Sequence, residues 1–110
     1  VHDCGRMYSP DQVRAQIEGN LVWGIGMAML ERFEVREGIA ATDNFDSYVL
    51  PGNSDVPELV IETLESAEPS SGAGEAAFAP AAAAIANAAY RSTGVRQRRL
   101  PLDAKVVNAA

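Results

Sequence analysis

The run Ser70-Ser71-Gly72-Ala73-Gly74-Glu75 is where the residue types of this chain come closest to chemistry. Two glycines permit tight turns that aim backbone N–H groups inward. A carboxylate at a helix start is stabilised in its ionised form by the helix dipole. An ionised glutamate on a glycine-bounded turn therefore has the parts of a general base. The same residues also fit a plain N-terminal glutamate in a surface loop. The Gly72-Ala73-Gly74 step is too short for a dinucleotide fingerprint, and no lysine follows it, which excludes a P-loop. The acidic pairs Asp3/Asp11 and Asp43/Asp46 have neither the spacing nor the company of a calcium loop. Arg96, Arg98 and Arg99 form a local basic cluster, fitting either a solvated face or contact with an acidic partner surface.

Other chemistries are closed off by composition. The chain has 110 residues, one cysteine (Cys4) and one histidine (His2), so it forms no internal disulfide and offers no zinc cluster. Lys+Arg number 9 and Asp+Glu 15, a formal charge of −6. An acidic surface repels phosphate backbones and has few counterions to release, so nucleic acid is not an expected partner. No run of 18 apolar residues appears, so no transmembrane segment is expected. The start at Val1 leads one to expect a cut chain rather than a whole gene product.

The elements that must position Glu75 follow from pattern. Ser9-Pro10-Asp11-Gln12 carries a capping serine, a proline suited to the first helical position and a glutamine able to reach back to the cap. Behind it Val13, Ile17, Leu21 and Ile25 recur every four residues, predicting a helix over about 10–30 that becomes apolar all round from Leu21 to Leu30. Gly24 and Gly26 each cost that helix up to about 1 kcal/mol. The cost is explained by close helix packing or by close approach of a ligand. Phe33, Val35 and Ile39 around Glu37-Gly38 predict two short strands, and residues 44–50 a continuation of the sheet. Residues 57–64 form the clearest strand, with Leu59, Ile61 and Thr63 on one face and Val60, Glu62 and Leu64 on the other. Residues 66–74 form a loop by composition. Ten of the fourteen residues 76–89 are alanine, predicting a helix over 76–92 with Pro80 in its first turn or dividing it, and Gly94 as its end. Two main helices on a small mixed or antiparallel sheet make an α+β domain over residues 1–102, with 103–110 as a flexible tail.

Four segments stand together in order: Asp3-Cys4-Gly5-Arg6 with Pro10; Gln16-Ile17-Glu18-Gly19 with Gly24-Ile25-Gly26; Asp46 and Tyr48 with Asp55-Val56-Pro57-Glu58; and Gly72-Ala73-Gly74-Glu75. The set resembles the C-terminal part of the molybdopterin-binding subunit of the xanthine dehydrogenase/aldehyde oxidase family. Gly74-Glu75-Ala76-Ala77-Phe78-Ala79-Pro80 and the closing Gly94–Leu102 stretch are most similar to the isoquinoline 1-oxidoreductase/aldehyde dehydrogenase branch.

The resemblance carries definite implications. Glu75 matches the glutamate that takes a proton from the oxygen attacking the substrate carbon in the oxidative hydroxylation of an aldehyde or N-heterocycle. Gln16 matches a glutamine that hydrogen-bonds the pterin, while Gly72, Ala73 and Gly74 bring the loop backbone to the cofactor, and Gly24 and Gly26 pack on the cofactor side. The cofactor implied is molybdopterin with molybdenum, in its cytosine dinucleotide form. No metal ligand comes from this chain. The implied partners are the remainder of the subunit and an iron–sulfur subunit, since one cysteine holds no cluster. Alone, the chain is expected to bind no cofactor, to be inactive and to self-associate, as a homodimer or as weak aggregates. Asn20 departs from a family position usually held by a second small residue, and Ser71 from one held in many relatives by lysine. The competing reading is a non-catalytic structural or interaction module derived from this domain.

Overall fold

The computed structural model describes residues 1–108. Its elements in chain order are β1 (His2–Asp3), α1 (Pro10–Met29), β2 (Val35–Arg36), β3 (Ile39–Ala40), a 3-10 turn (Asn53–Asp55), β4 (Thr63–Leu64), α2 (Phe78–Thr93) and α3 (Ala104–Val107). The class is α+β, as expected, with a difference in the strands. They pair as two separate ladders, β1 parallel to β4 and β2 antiparallel to β3.

Helix α1 starts with Pro10 at its first position, but the Ser9 side chain makes no cap bond. The expected capping box is not formed, and Ser9 and Gln12 instead line a cavity beside the helix. The buried positions of α1 are Ile17, Asn20, Gly24, Gly26 and Ala28, so its inner face is built mostly from small residues. This lets α2 approach closely. A Cβ on Gly24 would lie 2.6 Å from the Ala81 methyl carbon and 2.9 Å from the Phe78 carbonyl oxygen. Trp23 covers the crossing by stacking on Phe78, with ring centroids 4.1 Å apart.

Helix α2 begins later than its alanine run suggests, with Ala77 as N-cap and Phe78 first, which places Pro80 in the first turn. Gly94 closes it at φ 73°, its N–H donating to the Tyr90 carbonyl. Beyond it Arg96 lies 3.7 Å over the Tyr90 ring and donates to Asn87 Oδ1. The chain then returns to α1, where the Leu102 N–H donates to the Ala28 carbonyl at 2.7 Å. Within the stretch expected to be a flexible tail, Ala104–Val107 form a helical turn capped by Asp103. Residues 109 and 110 of that stretch lie outside the described residues.

The hairpin at Glu37-Gly38 forms as expected. Both turn residues have positive φ (52° and 79°), the geometry that matches strand twist in two-residue hairpins. Residues 44–50 do not join a sheet. Ser47 Oγ accepts from the N–H groups of Asp43 and Asn44, and the Asn44 carbonyl accepts from Ser47 and Tyr48, so the segment satisfies itself as a local turn. In residues 57–64 the alternation holds, with Leu59, Ile61 and Thr63 half-buried and their neighbours Val60, Glu62 and Leu64 exposed. Only Thr63 and Leu64 pair, because β1 is the one strand alongside and is two residues long.

The core is thin. Among the described residues its buried apolar residues are Cys4, Ile17, Ala28, Ala81, Ala89 and Leu102, and no large side chain is fully buried. Phe33, Val35, Phe45, Leu50 and Val60 are exposed. The radius of gyration is 16.5 Å, against about 13 Å for a compact domain of this length. A chain this open leaves apolar surface that a larger assembly can cover.

Candidate functional site

The N-terminal segment and the glycine-rich loop are stapled together. Above the β1–β4 ladder, the Ser71 N–H donates to the Cys4 carbonyl at 2.8 Å and the Arg6 N–H to the Glu68 carbonyl at 2.9 Å. Gly5, at φ 76°, is what permits this approach, since a Cβ there would stand 2.9 Å from the Glu68 oxygen and 2.8 Å from the Pro69 carbonyl carbon. Asp3 Oδ1 accepts from the Gly5 N–H and holds the turn. The Asp3-Cys4-Gly5-Arg6 motif thus acts as a clamp on the loop, with Cys4 buried inside it.

Between this clamp and α1 lies a cavity of about 250 Å³. Arg6, Gln12, Gln16, Ser70, Gly72 and Ala73 line it together with Met7, Tyr8 and Val13, so its exposed lining is mostly apolar. Gln12 and Gln16 stand one helical turn apart, presenting two amides that donate and accept, next to a guanidinium that only donates. At Gly72 and Gly74 an added Cβ would meet nothing within 4 Å, so one side of the loop faces open space. A flat, heteroatom-rich ring or an anionic group has suitable partners here.

Of the residues singled out in the sequence, Gln16, Gly72 and Ala73 meet at this cavity. Gly74 is held from α1, where Asn20 Nδ2 donates to its carbonyl at 2.8 Å. Glu75 does not line the cavity. It sits exposed, two residues before the α2 N-cap, with its carbonyl accepting from the Phe78 N–H at 3.3 Å. The carboxylate therefore precedes the first turn of α2 instead of standing in it. Among the described residues no ion pair engages it.

Two expectations are corrected. Gly24 does not face a ligand but packs on Ala81 and Phe78, and Gly26 packs on Pro51 and Glu31. Both glycines serve close packing. Asn20 is the residue whose role the pattern did not reveal: it is 6% exposed, and its Nδ2 also donates to the Gln16 carbonyl at 2.6 Å. Its Oδ1 is buried without a donor. Among the described residues no group of three His, Cys, Asp or Glu side chains could hold a metal ion, and no helix is long and apolar enough to cross a membrane.

The other polar features lie apart from this cavity. Tyr48 donates to Glu31 Oε2 at 2.7 Å, and that bond, followed by burial and the carboxylate charge, raises the phenol above its ordinary range. Glu34 is held below the usual carboxylate range, first by its hydrogen bond from Arg36 and then by the charges of Arg32 and Arg36.

Comparison with known proteins gives consistent matches. The sequence profile of a family described as molybdopterin cofactor-binding domain matches residues 1–57. The chain is 37% identical over 110 residues to one of the subunits of nicotinate dehydrogenase from Pseudomonas putida, an alignment covering 99% of this chain and 9% of that protein. It is 34% identical over 100 residues to the beta subunit of isoquinoline 1-oxidoreductase from Brevundimonas diminuta, covering 91% and 13%. The crystal structure of quinoline 2-oxidoreductase from Pseudomonas putida 86 superposes with a TM-score of 0.81 at 32% identity, covering 90% of this chain and 14% of that one. The chain thus spans 9 to 14% of the length of these relatives. The resemblance drawn from the ordered motifs is borne out.

Proposed function

The chain belongs to the molybdopterin cofactor-binding domain family, as a segment of a molybdenum hydroxylase's cofactor-binding subunit, and from that premise we propose that it supplies the general base, Glu75, and one wall of the pterin site. The observation that carries this reading is the meeting of Gln16, Gly72 and Ala73 at one cavity that also holds Arg6, with Glu75 following in the same tethered loop.

The residues present fit such a cofactor. The Gln16 amide, with Gln12 beside it, matches the donor and acceptor edges of a pterin. Arg6 suits an anionic group. The absence of side chains at Gly72 and Gly74 leaves room for the loop backbone to come close. When bound, the molybdenum centre supplies the oxygen transfer and electron uptake of an oxidative hydroxylation, which no side chain here can supply. Glu75 then takes up a proton at a carboxylate oxygen as the oxygen nucleophile attacks the substrate.

We place the substrate among aldehydes and electron-poor N-heterocycles. The relatives' names, nicotinate dehydrogenase, isoquinoline 1-oxidoreductase and quinoline 2-oxidoreductase, favour the heterocycles. The cofactor is proposed in its cytosine dinucleotide form. The proposed partners are the rest of the cofactor-binding subunit and an iron–sulfur subunit that carries electrons away, because a cluster needs several thiolates and Cys4 stands alone. A second reading, a non-catalytic interaction module, is favoured only by the exposure of Glu75 and of the apolar residues around α1.

Affinity purification of the complex containing this chain, with its metals quantified, separates the two. About one molybdenum per complex, with iron present, is the expected result. A chain recovered alone and metal-free would overturn the hydroxylase reading.

A further inference from the structure

We propose that Asn20 is a positioning residue for Glu75, acting through the Gly74–Glu75 peptide; this rests on the reading of Glu75 as the base. Asn20 is buried in the middle of α1, where asparagine is a modest helix former. Its amide nitrogen bonds two carbonyls, that of Gln16 one turn back at 2.6 Å and that of Gly74, 54 residues on, at 2.8 Å. Two acceptors fix the orientation of the amide, since turning it over would set oxygen against both carbonyls.

The loop needs such a tether. Gly72 is at φ 87°, and an added Cβ at Gly72 or Gly74 would meet nothing within 4 Å, so no side chain anchors the loop at either glycine. Upstream the loop is fixed at Ser71 by its bond to Cys4, and downstream the Glu75 carbonyl is tied to Phe78. Asn20 supplies the fixed point between them, on the carbonyl whose peptide plane contains the Glu75 nitrogen. The same NH2 group holds the carbonyl of Gln16. One side chain therefore sets the distance between the backbone of the pterin-facing helix turn and that of the base.

The test is a double-mutant cycle in the assembled enzyme, Asn20→Ala and Glu75→Gln singly and together, with molybdenum content and hydrogen exchange over residues 72–77 measured alongside turnover. Asn20→Ala is expected to lower kcat about 10- to 100-fold, with KM little changed and molybdenum retained. It should have no further effect on the residual rate of Glu75→Gln. Loop exchange should rise in both backgrounds. Asn20→Asp, which sets carboxylate oxygens against the two carbonyls, should reproduce the loss, and Asn20→Ser, keeping one hydroxyl donor, should partly rescue it. If Asn20→Ala fails to assemble, Asn20→Ser is carried through the same cycle. Unchanged kcat and exchange in the Asn20 variants, or independent multiplication of the two losses, overturns the proposal. Full activity in Glu75→Gln instead overturns the base on which it rests, and the exchange measurement still reports whether Asn20 tethers the loop.

Discussion

Gly24 of α1 lies directly against Ala81 of α2, so that a Cβ added to it would stand 2.6 Å from the alanine methyl carbon. Gly19, five residues earlier on the same helix, has nothing within 4 Å of where its Cβ would be. The two glycines should answer an alanine substitution with opposite signs. Gly19→Ala gains helix propensity and should stabilise by up to about 1 kcal/mol. Gly24→Ala forces the helices apart and should cost about 1–3 kcal/mol net. Thermal midpoints of the assembled subunit check this, and a stabilised Gly24→Ala variant would contradict the described packing.

Gly5 makes the clamp on the glycine-rich loop. At φ 76° and with the Glu68 oxygen 2.9 Å from an added Cβ, alanine is strained both by its backbone and by contact. Gly5→Ala should therefore release residues 66–74, at a cost of about 2 kcal/mol or more. Limited proteolysis is the check: cleavage within that loop should become faster, while cleavage at the Glu37-Gly38 hairpin should not.

Most of the local structure was legible in the residues, and the contacts that build the site were not. Pro10, Gly94, Gly38 and the small polar run at 66–74 each impose a local backbone preference, and each sits where that preference allows, whereas Glu37 takes a positive φ that its type disfavours. The segment 57–64 kept its alternation but formed only two residues of ladder, because alternation encodes faces and not the presence of a neighbour. Residues 44–50 had apolar strand formers, yet Ser47 and Asn44 captured the backbone locally. Gln16 and the loop at 72–74 are joined by folding across more than fifty residues, and only family resemblance pointed to their association. Asn20 had no local signal, since its partner carbonyl lies 54 residues away.

Tyr48 should ionise late. Its hydroxyl donates to Glu31, so the neutral phenol is favoured in the folded chain. Because the folded-state pKa is raised, the contact contributes stability below the ordinary phenol range near 10.0 and loses it as pH rises through the raised value. The ultraviolet difference between the wild-type chain and Tyr48→Phe should show Tyr48 ionising above the ordinary phenol range, and Glu31→Gln should bring it back towards that range. Ionisation of Tyr48 within the ordinary phenol range would contradict the contact.

The exposed residues Phe33, Phe45, Leu50 and Val60, with Trp23 43% exposed over Phe78, give the isolated chain a strong tendency to self-associate. Sedimentation at rising concentration should show dimers or larger species growing from the monomer. A monomer persisting at high concentration would argue that this surface needs no partner.

The most direct measurement of the central claim is the rate of substrate oxidation by the assembled enzyme carrying Glu75→Gln, with molybdenum content determined on the same sample. The change preserves size and replaces the ionised carboxylate with a neutral amide that cannot take up the proton. If Glu75 is the base, kcat falls by about 10²-fold or more with molybdenum unchanged. Wild-type turnover at full molybdenum occupancy would contradict it, leaving Glu75 an ordinary glutamate ahead of a helix.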